Sequence, residues 1–469
     1  MSAQILHIKS FGCQMNKLDT ALVTSALKQA GFGLTDSVKE ADAVLINTCS
    51  VREHAEQRVL SHLGHLKHIK ESRPELVVAV IGCMAQRLGP ELLEHEAVDI
   101  VCGPIQIPQI TQLISKTLHE KKKKLAVTEK IRQRTSDGQA QALEKFESVY
   151  GIENKQIPNQ AFVRVMRGCN KFCTYCVVPY VRGPEVSRPP AAVIEQIKKL
   201  AGEGVKLVTL LGQTVNSYRY TAGEKIYCLA DLLEMASQIE GIRWLKFVTS
   251  YPSNEFFDEI LTAMANLPKV CNYLHMPAQS GSDRILRAMN RRHTAGEYLE
   301  LLAKARAIVP DVAISGDFIV GFPAETEEDF EGTVELVTKA KYKNCFIFKY
   351  SPRPGTTADK RLEDSVPAEV KKRRNIELLA VQEKISDELS RQFLKKTVEI
   401  LVEGLSKKAH LNSAEGSGKM QLVGRTATDW IVVFNGPLSL AGRFAKVKIT
   451  KTAPLTLFGE LLQHENARA

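Results

Sequence analysis

Phe162-Val163-Arg164-Val165-Met166-Arg167-Gly168-Cys169-Asn170-Lys171-Phe172-Cys173-Thr174-Tyr175-Cys176 joins a run of strand length to a loop holding three thiols within eight residues. Structural zinc takes four closed ligands, and Cys228 and His275, the remaining candidates, are remote in sequence. Three thiolates suit a 4Fe-4S cluster that keeps one iron open. That iron can hold a small molecule by its amino and carboxylate groups and pass it one electron. Chance clustering of three cysteines is the competing reading.

Working outward, Phe162–Met166 is the first of six strand-like runs, with Lys206–Leu211, Arg243–Val248, Cys271–Leu274, Ala313–Val320 and Asn344–Lys349. Helical spacing falls between and after them, at Ala191–Ala201, Leu229–Ile239, Asn254–Ala265, Asp283–Met289 with Gly296–Ile308, Glu327–Ala340 and Ala368–Leu394. Six βα units predict a barrel or an open partial barrel, with ligands at the carboxyl ends of its strands.

Upstream, Ile5–Lys9, Ala43–Asn47, Leu76–Ile81 and Val98–Val101 alternate with Leu18–Ala30, Glu53–Ile69, Gly89–Glu94 and Pro108–Leu118. This predicts a parallel sheet with crossover helices, and no Gly-x-Gly-x-x-Gly supports a dinucleotide reading. Cys13, Cys49 and Cys83 each follow a strand, 36 and 34 residues apart, beside the loop formers Gly12, Thr48 and Gly82. Residues just past successive parallel strands converge on one edge, so these thiols can hold a second cluster. Buried structural cysteine is the alternative. Cys102 also follows a strand, and spacing alone does not exclude it.

Lys121–Gln160 reads as a polar linker, apolar only near Phe146–Tyr150, and Lys121–Lys124 as the exposed end of a helix. Past the last helix, Val398–Val402, Met420–Val423, Trp430–Phe434 and Phe444–Thr450 predict a small all-β barrel of a kind that binds oligonucleotides; a packing cap is the alternative. The chain of 469 residues carries 63 Lys/Arg against 53 Asp/Glu, and Arg391–Ala469 alone holds twelve against six. A basic terminal module points to a polyanion, nucleic acid first. Composition, 44% apolar and 25% charged, excludes disordered and fibrous classes. No run approaches a membrane span, and Met1–Ser10 lacks a signal pattern. A cytoplasmic protein is expected, in which ten cysteines are not disulfides.

Ser10-Phe11-Gly12-Cys13-Gln14-Met15-Asn16, Asn47-Thr48-Cys49, Ile81-Gly82-Cys83-Met84-Ala85-Gln86 and the C-x3-C-x2-C loop together resemble the radical S-adenosylmethionine methylthiotransferases. The resemblance continues through Val178-Pro179-Tyr180-Val181-Arg182-Gly183, Leu211-Gly212-Gln213, Thr249-Ser250 and Pro277-Ala278-Gln279-Ser280-Gly281-Ser282. It also takes in Gly316-Asp317-Phe318-Ile319-Val320-Gly321-Phe322-Pro323 and Tyr350-Ser351-Pro352-Arg353-Pro354-Gly355-Thr356. The Phe-Gly-Cys-Gln-Met-Asn opening is similar to the branch acting on N6-isopentenyladenosine beside the anticodon. It argues against the branches that modify threonylcarbamoyl-adenosine or a ribosomal-protein aspartate. A zinc-stabilised RNA binder without catalysis is the rival from another class; iron and sulfide against zinc separates the two.

The resemblance implies an α/β chain: an N-terminal methylthiotransferase domain (1–120), a linker (121–160), a radical-SAM domain (161–393) with a partial (β/α)6 barrel, and a TRAM RNA-binding domain (394–469). It implies two 4Fe-4S clusters, a radical one on Cys169, Cys173 and Cys176 and an auxiliary, sulfur-carrying one on Cys13, Cys49 and Cys83. Tyr175, Gln213, Ser250 and Asp317 are the implied S-adenosyl-L-methionine contacts. Arg182 and Arg353 are candidates for substrate phosphate, cofactor carboxylate or surface salt bridges. No catalytic residue is assigned. The implied reaction is methylthiolation of adenine C2, one S-adenosylmethionine methylating the sulfur and a second giving a 5′-deoxyadenosyl radical. An aromatic C–H has no acidic proton for a base, so a radical shielded from water is required. A base in a single-stranded loop is cheaply splayed into the barrel mouth. Implied partners are the anticodon stem-loop of tRNA and an electron donor such as flavodoxin or ferredoxin, for a monomer off the membrane. Two positions depart from the family pattern: Tyr251, where many relatives have His, and the extra Cys102.

Overall fold

Ala43–Thr48 and Val77–Gly82 are buried at every position. Burial without alternation means that both strand faces are covered, as at the centre of a parallel sheet. The computed structural model describes residues 4–50, 53–129, 131–133, 136–149, 159–407 and 420–464. Its first sheet contains β1 (Ile5–Ser10), β2 (Gly33–Leu34), β3 (Ala43–Thr48), β4 (Val77–Gly82), β5 (Ile100–Cys102) and β6 (Lys124–Ala126). All are parallel, in the order β2-β1-β3-β4-β5-β6. Helices α1 (Gln14–Gln29), α2 (Glu53–Ser72), α3 (Cys83–Leu88), α4 (Pro90–Glu94) and α5 (Ile110–Glu120) lie between the strands. Register sets Ser10 opposite Asn47 and Thr48 opposite Gly82, so β1, β3 and β4 end nearly level.

The stretch 121–160 is more structured than its polarity predicts. Lys121 caps the end of α5 in a left-handed conformation, so the run does begin at a helix end, but it leads straight into β6, which Lys124 opens. α6 (Asp137–Ser148) begins at a Ser136/Gln139 capping box and buries Leu143 and Phe146. Residues 150–158, including Tyr150, lie outside the described residues.

The chain divides into two units. The first holds the sheet together with Arg164–Arg188 and Arg353–Lys360; the second holds 159–163, Pro189–Pro352 and the chain from Arg361 onward.

In the second unit, Gln160–Arg164, Leu207–Leu211 and Trp244–Val248 are neighbours in chain order, as are Tyr273–His275, Ala313–Val320 and Asn344–Lys349. Among the described residues an isolated parallel bridge, Leu245 to Val270 just before Tyr273–His275, links the two sets. The result is six successive strands of an open partial barrel. A hairpin, Arg219–Ala222 with Lys225–Cys228, interrupts the series; its mixed polar sequence gave no strand signal.

Five strands close the C-terminal barrel: Thr397–Leu405, Met420–Arg425, Ile431–Gly436, Phe444–Ala453 and an unforeseen fifth, Thr456–His464. Ile400, Val402, Leu422, Phe434, Val447 and Ile449 fill it. Leu401 and Phe444 pack on Leu207 and Trp244, which open two strands of the partial barrel. The Trp244 and Phe444 rings meet edge to face at 4.8 Å.

Beside them, half-buried Asp429 accepts from Lys246 (3.1 Å) and Arg425 (3.0 Å), with the Lys343 ammonium at 3.7 Å. Burial pushes the Asp429 carboxyl up, but the three cations outweigh it and hold it at about 2. A depressed carboxyl contributes stability above its unfolded pKa of about 3.9 and loses it as pH falls through the folded value. Thermal melts should therefore show an Asp429-dependent loss between about pH 4 and pH 2 that is absent in Asp429→Asn. Equal acid sensitivity in both proteins would refute this.

Candidate active site

Because β1, β3 and β4 end level, the residues beyond them share one sheet edge. Cys13 caps α1 and is exposed, Cys49 is buried, and buried Cys83 is the first residue of α3. Gly82, at φ +100°, allows the approach: a Cβ there would lie 2.5 Å from the Thr48 carbonyl oxygen. At Gly12, φ +141°, it would lie 2.6 Å from Cys49 Cβ. Two buried amides tie the loops together. Asn16 donates to Asn47 Oδ1 (3.0 Å) and the Thr48 carbonyl (2.7 Å), and Asn47 donates to the Asn16 carbonyl (2.8 Å). These bonds give a structural reason for Asn in both the Gln-Met-Asn and Asn-Thr-Cys motifs.

The thiol loop folds in this same unit. Gly168 lies at φ +71°, and a Cβ there would collide with the Pro184 carbonyl. The Cys169 amide donates to the Gly183 carbonyl (3.1 Å), and the Cys176 amide to that of Cys173 (2.9 Å). Phe172, at φ +51°, sits under the Arg132 guanidinium at 4.0 Å. Cys169 is buried, and burial pushes its thiol up to about 11; Cys173, Tyr175 and Cys176 are half-buried. Thr174 is held by an amide bond from Ala358 (2.8 Å).

Cys83 packs against Val177 and Val181, just beyond Cys176. Arg182 then donates from Nε to Cys83 Sγ (3.2 Å) and from its outer nitrogen to Asp19 (3.0 Å). With its side chain 9% exposed, Arg182 is neither a surface salt bridge nor turned to a phosphate. Asp19 also receives Arg164, which bonds Glu147 of α6 (2.8 Å); Arg167 reaches the same Glu147 oxygen (2.6 Å). Burial raises the Asp19 carboxyl, and the Arg164 and Arg182 charges overcome it, so Asp19 is ionised. The Cys13 thiol is drawn down to about 6, chiefly by a hydrogen bond with Cys49 and, against burial, by the Arg182 charge. Burial pushes the Cys83 thiol up, and Arg182 opposes this.

Both thiol sets fit the proposed groups in donor chemistry. Among the described residues no three His, Cys, Asp or Glu are set to chelate one ion; in a 4Fe-4S cluster each thiolate takes a different iron. Cys102 stands apart. It lies within β5, opposite Ile81 and two residues short of the Cys83 level, wholly buried, with burial alone raising its thiol.

In the second unit, Gln213, Ser250 and Asp317 lie on the partial barrel. Gln213 follows Leu207–Leu211. Buried Ser250 follows Trp244–Val248, its amide on the His275 carbonyl (2.9 Å), and its Oγ has no partner among the described residues. Asp317, inside Ala313–Val320, meets the His275 ring at 3.3 Å. His275 thus joins Ser250 and Asp317, a role no local motif announces. Thr249 and Gln279 hold φ +73° and +79° at strand ends. For a β-branched Thr this is strain of the kind that collects at functional sites. Tyr251 is a packing anchor: its backbone is clasped by Asn216, its ring lies under Arg291 at 4.4 Å, and its hydroxyl accepts from the Arg292 amide.

A parallel sheet, a partial barrel with a three-thiol loop and a five-stranded barrel define a radical S-adenosylmethionine enzyme carrying a TRAM domain. Residues 163–337 match the Radical SAM superfamily, 5–103 the Uncharacterized protein family UPF0004 and 391–462 the TRAM domain. A tRNA-2-methylthio-N(6)-dimethylallyladenosine synthase of Rhodopirellula baltica is 42% identical over 457 residues, covering 97% of this chain and 95% of the relative. Its namesake in Porphyromonas gingivalis is 39% identical, covering 98% and 95%. The chain belongs to the family of these synthases. In fold it is similar to the radical S-adenosylmethionine methyltransferase TsrM of Kitasatospora setae, with a TM-score of 0.51 at 14% identity over 76% of this chain and 77% of that one. The cobalamin-dependent S-adenosylmethionine radical enzyme OxsB also scores 0.51, at 12% identity over 79% and 56%. Among the described residues no helix is long and apolar enough to cross a membrane.

Proposed function

We propose that the chain methylthiolates C2 of N6-isopentenyladenosine beside the anticodon of tRNA; its relatives are named tRNA-2-methylthio-N(6)-dimethylallyladenosine synthases. The observation that carries this is the single fold unit holding both thiol triplets, in which Arg182, six residues after Cys176, bonds Cys83. Cys169, Cys173 and Cys176 hold a radical 4Fe-4S cluster, and Cys13, Cys49 and Cys83 an auxiliary one. When bound, these clusters supply the electron that cleaves S-adenosyl-L-methionine to a 5′-deoxyadenosyl radical and the sulfur that a further S-adenosylmethionine methylates.

The chain's own residues bind, orient and neutralise. Gly12, Gly82 and Gly168 let thiol-bearing backbone close up, and the Asn16–Asn47 pair fixes the spacing of the Cys13 and Cys49 loops. The Arg182 cation compensates thiolate charge where burial alone disfavours it. Ser250, with an unsatisfied buried hydroxyl, Asp317, Gln213 and Tyr175 are the proposed S-adenosylmethionine contacts. The domain roles proposed here are sulfur transfer for 1–120, a linker for 121–160, radical generation for 161–393 and tRNA binding for 394–469. An electron donor such as flavodoxin or ferredoxin serves a cytoplasmic monomer. Nucleoside mass analysis of tRNA from a strain lacking this chain should show the methylthio nucleoside gone and isopentenyladenosine accumulated. Unchanged methylthio nucleoside would overturn the reading.

A further inference from the structure

Lys9, Gln57, Arg58, Ser61, His62 and His65 surround a recess of about 400 Å³ floored by Phe11. Lys9 and Phe11 share one face at the carboxyl end of β1, by strand alternation. Residues 57, 58, 61, 62 and 65 form one stripe of α2, by helical spacing. The recess lies within the first unit, and only Gly12 separates its floor from Cys13.

Its lining chemistry is one-sided. Every ionisable lining group is basic, and among the described residues no carboxylate lines it. The Arg58 guanidinium and the Lys9 ammonium lie 5.1 and 5.8 Å from the Phe11 ring centre, and neither forms an ion pair among the described residues. The His62 ring stacks on His65 at 6.5 Å, and its Nε2 is shut from solvent without a hydrogen-bond partner among the described residues. Burial, then the charges of Lys9, His65 and His7, hold His62 at about 4, so at neutral pH it is an uncharged imidazole. Two cations without an ion-pair partner among the described residues, a serine hydroxyl and an uncharged imidazole that adds no negative charge suit an oxyanion bearing several acceptor oxygens and no donor.

We propose that this recess is a phosphate site, taking a backbone phosphodiester of the tRNA; its source in RNA rests on the function proposed above. Phosphate contacts position an RNA without reading its sequence, and here one would anchor the strand beside the Cys13 edge of the sheet.

The test titrates tRNA against the full chain at several salt concentrations, for wild type, the double variant Lys9→Gln/Arg58→Gln, and Lys28→Gln/Lys39→Gln as a control of equal charge change. Losing a phosphate contact should weaken binding several-fold and flatten log K against log salt by about one. The control should do neither, and Lys9→Arg/Arg58→Lys should restore binding, which separates lost charge from misfolding. In parallel, inorganic phosphate is titrated while the His62 and His65 ring resonances are followed. A flattened slope in the first double variant alone supports the RNA source. An unchanged slope with His62 shifting on phosphate addition, lost in that variant, overturns the RNA source and assigns the recess to free phosphate. An unchanged slope without a histidine response removes the site altogether. The proposed function fails separately, if methylthio product is absent from the wild type.

Discussion

The triple variant Cys13→Ala/Cys49→Ala/Cys83→Ala is expected to make no methylthio product while still cleaving S-adenosylmethionine to 5′-deoxyadenosine. In the proposed function the two chemistries rest on separate thiol sets, and this variant removes only one. Iron after anaerobic reconstitution should fall from about eight to about four atoms per chain, as two 4Fe-4S clusters become one. The complementary triple change at Cys169, Cys173 and Cys176 should lose a similar share of iron and all cleavage. Arg182 retains Asp19 in the first variant, so no buried charge is stranded and the fold should survive. Cys102→Ala is the control: its thiol donates to the Gly103 carbonyl, away from both triplets in the proposed assignment, and iron should be unchanged. Product from the first variant would place the sulfur elsewhere; iron lost from the Cys102 variant would mean that the wrong thiols were chosen.

How far the sequence could be read depended on distance along the chain. β3 and β4 were legible because uninterrupted apolar residues announce a doubly covered strand. Ala313–Val320 and Asn344–Lys349 were read to the residue. β2 and β6, of two and three residues, are too short to carry a pattern. α6 was hidden by its polar composition, although its capping box stood in the sequence. The thiol triplets were visible because identical residues recur at matched places. Their surroundings were not. Asp19 lies 145 residues from Arg164 and 163 from Arg182, and no local pattern pairs single charges over such separations.

The basic tail shows the same limit from the other side. Its net charge was countable, but Asp429, paired with Arg425 inside the tail, turns toward Lys246 and Lys343. The tail therefore caps the partial barrel, and deleting Arg391–Ala469 would also bare Leu207 and Trp244. A truncation cannot isolate tRNA binding; charge changes at exposed lysines can.

Arg182→Met is expected to have the largest effect of any single change outside the six proposed ligands. The guanidinium is buried between Cys83 Sγ and the Asp19 carboxylate, and Met replaces its length but neither its charge nor its donors. Removing one partner of a buried ionic network costs about 3–5 kcal/mol, because the remaining charge keeps its desolvation penalty. Arg164 still holds Asp19, which places the expected cost at the lower end. The thiol side is affected in a different way. Cys83 loses the cation that opposes the effect of burial, so the proposed auxiliary cluster should bind more weakly. Where it persists, its reduction potential should fall, since a nearby positive charge and a hydrogen bond to sulfur both favour the reduced form. Arg182→Lys keeps the charge without the two-pronged geometry and should recover the potential more than the stability. That difference separates a positioning residue from a purely structural one. Iron counts, chemical melts and the midpoint of the auxiliary cluster are the measurements. Full iron and an unmoved midpoint in Arg182→Met would show that this arginine serves only the ion-pair network with Asp19.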